Sequence, residues 1–204
     1  KWLSVFVIGV LVLFAWAVGS LLDSPTGYAS NSGTSSLTVT TSIGINLDTS
    51  SLDWGTGRIN RSNASCNTSG LNMTTTGNGT NVNNCWINIS DGTSATVEGD
   101  DFIINNTGNT NITVTISANN ASTFWANNTG TGFLWRAVDN VENSSCFTGL
   151  QPNWTAFNGS AQTVCSNLNW DINNTLRVEI YIFAPANISG RNNEANVVFS
   201  SAEA

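Results

Sequence analysis

Asparagine is the residue with the most chemistry to offer in this chain. Of 31 Asn, 15 head an Asn-x-Ser/Thr sequon: Asn60, Asn63, Asn67, Asn72, Asn78, Asn88, Asn105, Asn111, Asn120, Asn127, Asn143, Asn153, Asn158, Asn173 and Asn187. Ser and Thr fill 49 of 204 positions, so random placement predicts about 7 sequons among those Asn. The doubled frequency points to selection for the acceptor motif itself. A sequon accepts bulky, solubilising sugar on an exported surface. Covalent N-glycans are therefore expected, and no other cofactor.

Cysteine agrees with export. Cys66 and Cys85 lie 19 apart, as do Cys146 and Cys165. Four cysteines allow three pairings; the equal spacing favours two local bridges, Cys66–Cys85 and Cys146–Cys165. A structural zinc site is the rival, but neither a CxxC pair nor a His accompanies them. An oxidising compartment follows from bridges. An echo at a shift of 80 accompanies the cysteines: Asn60, Asn63, Cys66, Asn78 and Cys85 recur as Asn140, Asn143, Cys146, Asn158 and Cys165. It reads either as two duplicated halves or as one sandwich with two similar stapled loops, and the poor match of the preceding strands favours the latter.

Enzymatic chemistry is not expected. With no His, the chain has no triad base, and it carries neither a nucleophile-elbow nor a phosphate-loop motif. The one acidic cluster, Glu98, Asp100 and Asp101, reads as a solvated strand end, with a Ca²⁺ site of hard oxygen ligands as the alternative. The net charge of −7, from 6 Lys and Arg against 13 Asp and Glu, excludes the basic footprint of nucleic-acid binding. At 9% charged residues the surface needs another source of hydration, which glycans would supply.

The elements that position these residues read as strands. Leu37, Val39, Ile43 and Ile45 share one face of a half-buried strand, and the region from Gly57 to Asn84 reads as a long sequon-rich loop. Residues 96–116 read as a hairpin turning at Asn105-Asn-Thr-Gly-Asn-Thr110, with Ile112, Val114 and Ile116 on one face. Leu176, Val178, Ile180 and Ile182 share one face while Arg177 and Glu179 take the other; Ala195, Val197 and Phe199 mark a last strand. Of eight Trp, Trp54, Trp86, Trp125, Trp135, Trp154 and Trp170 fall here, and Trp154 sits inside a sequon.

Ahead of these strands, Trp2 to Leu22 is 21 residues without a charge, closed by Asp23 and Pro25. As a helix it would run roughly 30 Å, a bilayer's hydrocarbon thickness. It reads as a signal peptide (Ala15-Trp16-Ala17 resembles a cleavage site), a permanent anchor, or the core helix of a filament. The start at Lys1 rather than Met reads as a leader already removed, which favours retention. Small residues at Ser4, Gly9, Ala15 and Gly19 would admit close helix packing, with Leu11 at mid-helix.

This layout of apolar helix and polar head resembles the archaeal type IV pilin and archaellin family. The resemblance implies helices packed as a filament core, passing through the membrane before assembly, with β heads outside. The strand–Asn-Thr-Gly-Asn–strand pattern and the closing run from Gly190 to Phe199 resemble immunoglobulin-like sandwiches of archaeal surface proteins and TasA-type fibre subunits. In the latter a strand of one subunit, here the one starting at Leu37, would complete the next subunit's sheet.

The expected fold is thus an N-terminal apolar α-helix followed by an all-β immunoglobulin-like sandwich: helix 1–22, flexible linker 23–36, head 37–204. The expected function is a structural subunit of a heavily N-glycosylated extracellular filament, polymerised with copies of itself as a helical homopolymer. The rivals are a donor-strand fibre and a membrane-anchored glycoprotein binding a surface ligand or sugar.

Overall fold

A computed structural model of the chain describes residues 40–77, 79–95, 100–126, 129–139, 145–188 and 194–204. The chain divides into two units, Lys1–Thr40 and Thr41–Ala204, and every element below belongs to the second. In chain order the first strands are β1 (Ile45–Leu47) and β2 (Gly57–Ile59), followed by helix α1 (Ala64–Ser69). Next come β3 (Leu71–Thr74), β4 (Thr80–Asn81), β5 (Trp86–Asn88), β6 (Phe102–Asn106) and β7 (Ile112–Ser117). Helix α2 (Ala121–Phe124) leads to β8 (Gly132–Asp139), β9 (Cys146–Thr148), β10 (Thr155–Ala156), β11 (Gln162–Leu168), β12 (Thr175–Ala184) and β13 (Val198–Glu203).

Strand β12 is the axis. Its ten residues hold no Gly or Pro and are rich in branched and aromatic side chains, which suit a pleated surface. Pro185 follows and ends it, since proline cannot donate to a ladder. Strand β8 pairs along nearly its whole length, from Leu176 opposite Asp139 to Phe183 opposite Gly132. On the other side β6 covers the first half and β3 the second. Strands β1, β4 and β10 complete a seven-stranded sheet. Gly132 serves a packing purpose here, because any Cβ would overlap the Phe183 ring lying across it.

The second sheet runs β13-β7-β11-β9. Period-two alternation points Ile112, Val114 and Ile116 of β7, with Val164 and Leu168 of β11, at the inner face of β12, where Leu176, Val178 and Ile180 are equally buried. Across the gap Phe102 meets Phe199 edge-on at 5.4 Å. Fully buried Trp135 donates its indole N–H to Gln162 Oε1 at 3.2 Å, so even the largest core side chain is satisfied. A ribbon of β2 and β5 closes one end.

Four expectations are corrected. The fold class, an N-terminal apolar helix ahead of the sandwich, does not stand: the described chain is mostly sheet with two short α-helices of six and four residues. No helix among the described residues is long and apolar enough to cross a membrane. The reason is one of pattern. The described apolar residues alternate along strands, and α1 buries only Cys66. The expected helix 1–22, linker 23–36 and the packing residues Ser4, Gly9, Leu11, Ala15 and Gly19 lie outside the described residues.

The supposed hairpin is an arch. Strand β6 belongs to the seven-stranded sheet and β7 to the four-stranded one, so the Asn-rich turn carries the chain across the core. Nor is the strand expected from Leu37 to Ile45 there as such: β1 starts only at Ile45, and residues 37–39 lie outside the described ones. The region from Gly57 to Asn84 is not a loop either. Leu71 and Met73 alternate with Asn72 and Thr74, and this puts β3 against β12 with both apolar side chains buried.

Candidate functional site

The cysteines form the two local bridges. Cys66 of α1 joins Cys85, which precedes β5, with Cα atoms 5.3 Å apart. Cys146 joins Cys165 across the neighbouring strands β9 and β11 at 5.9 Å. No free cysteine remains. The pairs place the molecule in a non-reducing environment. Equal spacing hides unlike settings, one bridge clamping a helix and the other two strands, so the echo at 80 does not mark a structural duplication.

The sequon asparagines take the surface. Asn67, Asn120, Asn153, Asn158 and Asn187 are exposed; Asn60, Asn63, Asn72, Asn88, Asn105, Asn111 and Asn173 are half-buried; Asn78, Asn127 and Asn143 lie outside the described residues. The side-chain amide nitrogen is the atom a sugar would take. Four of these nitrogens are already donating: Asn63 to Asn83 O, Asn67 to Arg61 O, Asn88 to Thr93 Oγ1 and Asn105 to Asp48 Oδ2. The remaining eight make no such bond among the described residues. Asn111 keeps the outward parity of Thr113 and Thr115, and its Oδ1 accepts from Trp170 N at 3.2 Å.

Among the described residues one asparagine is buried, and it heads no sequon. Asn106, 1% exposed, sits in the arch between the sheets. Its Nδ2 donates to Thr110 O, Leu168 O and Asn169 O, while its Oδ1 accepts from Gly108 N at 2.9 Å. From the end of β6 its side chain therefore ties the turn, at Gly108 and Thr110, to the end of β11 in the four-stranded sheet.

Sequence reasoning missed a charge network on the outer face of the seven-stranded sheet. Glu179 has the outward parity expected of it, yet is only 2% exposed. Arg136 Nε reaches Glu179 Oε2 at 2.6 Å, and Thr76 donates to the same oxygen at 2.8 Å. Arg177 spans Glu179 and Asp101 at 3.8 and 3.5 Å. Arg136 lies 4.6 Å above the Trp154 ring, which packs against Tyr181. Burial pushes the Asp101 carboxyl above its ordinary range, and the Glu179 charge adds to this; the Thr75 hydroxyl and the arginines oppose it. The signal available in the sequence was Arg177-x-Glu179 on the otherwise most apolar strand.

The acidic cluster expected near residue 100 is thus split. Asp101 is buried against Arg177 in the outer-face network, Asp100 is exposed, and Glu98 lies outside the described residues. Among the described residues no group of three or more His, Cys, Asp or Glu is placed to hold a metal ion. The tryptophans divide: Trp125 and Trp135 are core, Trp54, Trp86 and Trp154 half-buried, Trp170 exposed. Comparison with protein-family models, with curated proteins and with solved structures finds no match.

Proposed function

We propose that this protein is an exported structural subunit of an extracellular filament, N-glycosylated on its sequon asparagines and polymerised with copies of itself. The observation that carries the reading is the partition of asparagine: none of the twelve described sequon Asn is buried, whereas buried Asn106 heads no sequon. Two disulfides fit the compartment where such sugars are displayed. The polymer rests on the sandwich alone. Strand β13, six residues long, pairs on one side only among the described residues, and its single charge, Glu203, stands at its C-terminal end, so Val198 to Ala202 lack the charge or Pro that guards an edge against pairing. Such an edge favours strand addition from a second copy.

Electron microscopy of native surface material is the test. Ordered fibres whose repeating unit fits the sandwich are expected. Heads scattered singly over membrane vesicles would overturn the filament and leave a monomeric surface glycoprotein.

A further inference from the structure

Beside the ribbon of β2 and β5, the inner faces of β3 and β12 run out past the second sheet and leave a cleft of about 580 Å³. That volume lies in the range of small-molecule sites. Leu71, Met73 and Ile182 line it as buried aliphatic surface, and Trp54, Trp86 and Trp125 contribute rings. Two of the three ring donors are already engaged. Trp86 Nε1 is spent on Trp54 O and Trp125 Nε1 on Gly132 O, both at 3.0 Å. A sugar, which needs many hydrogen bonds, is poorly served by such walls.

The charge here is one-sided. Arg58 and Arg61, two of only six basic residues in a chain of net charge −7, line the same cleft. Arg61 gives one N–H to Ala186 O at 3.0 Å, and Arg58 makes no side-chain hydrogen bond among the described residues. Neither has a carboxylate partner among the described residues. Asp53, the nearest acid in sequence, and Asp91, next to the Gly92 that faces Arg58, are committed to their own turns: Asp53 accepts from Gly55 N, and Asp91 from Thr93 N and Oγ1. Those bonds from Thr93 also hold the Asp91 carboxyl below its usual range, so it stays ionised without taking either arginine. Unpaired guanidiniums beside an apolar cleft are complementary to a planar anion with a hydrocarbon body.

We propose that the cleft is a binding site for an amphipathic carboxylate, with the chain in the apolar cleft and the head group on Arg58 and Arg61. This goes beyond the filament reading and does not depend on it.

Titration of the intact, disulfide-bonded chain with decanoate below its micelle concentration, read by tryptophan fluorescence and calorimetry, tests it. Expected is one saturable site, tightening about fourfold for each added methylene from hexanoate to decanoate. Uncharged 1-decanol binds at least tenfold more weakly. The paired change Arg58→Gln, Arg61→Gln, made at exposed positions, reduces decanoate to the level of decanol and leaves decanol unchanged. Saturation absent up to about 1 mM, equal affinity for acid and alcohol, or a paired variant that binds decanoate as the native chain does, would each overturn the proposal.

Discussion

Two turns in this molecule are built alike and put to different ends. At Asn106-Thr-Gly108 and at Asn158-Gly-Ser160, the asparagine Oδ1 accepts from the backbone N–H two residues on, at 2.9 Å in both. Such Asx turns are local and cheap. The difference lies in the amide nitrogen. In the arch, Asn106 Nδ2 is consumed by three carbonyls, one in the turn and two at the end of β11. Between β10 and β11, Asn158 is exposed and its Nδ2 donates to nothing described. An asparagine tied at both ends holds the fold, and one tied at Oδ1 alone holds its turn while leaving a nitrogen for sugar.

The largest effect should come from cutting the tied end. Asn106→Ala strands several part-buried carbonyls and is expected to cost about 3–4 kcal/mol in denaturant unfolding. A loss below about 1 kcal/mol would mean that the arch holds without its side chain, and the contrast between the turns would collapse. Removing the Cys146–Cys165 staple as a double Ala variant releases a loop of 19-residue separation that contains Asn158. It should cost about 2–3 kcal/mol, with new proteolytic cuts between β9 and β11 and none at the arch. Cuts at the arch first would reverse the assignment.

A smaller effect is expected from Asp101 and is legible in its pH dependence. Its folded pKa is raised, so the native state holds its proton more tightly than the unfolded chain does. Its contribution to stability is full below the ordinary value of 3.8 and is lost as pH rises through the raised value. In Asp101→Asn that falling limb should vanish from a stability profile, with the acid side otherwise unchanged. Smallest of all is Asn158→Gln, expected within about 0.5 kcal/mol of the parent and yet lacking one sugar in native material.

What the sequence let through follows from range. Alternation is a local signal, so the inward faces of β7 and β12 could be read directly from Ile112, Val114, Ile116 and from Leu176 to Ile182. Cysteine spacing is also local, and the two bridges followed from it. The arch at Asn106 did not, because turn residues say that the chain turns, not which sheet receives it. Glu179 was placed on its correct face but not in its surroundings: Arg136 and Thr76 reach it from 43 and 103 positions away. The cleft with Arg58 and Arg61 was invisible for the same reason. Its ribbon and its inner lining meet only once β3, misread as loop, is paired with β12.

Sugar on the surface asparagines is what separates the two kinds of turn. Intact-mass spectrometry of subunits taken from native material, before and after enzymatic or chemical deglycosylation, addresses it directly. Expected is a ladder of masses well above 21.6 kDa that collapses on deglycosylation. Modified peptides should map first to sites with an unengaged nitrogen such as Asn153, Asn158 and Asn187, and never to Asn106. A single native species at 21.6 kDa would contradict it.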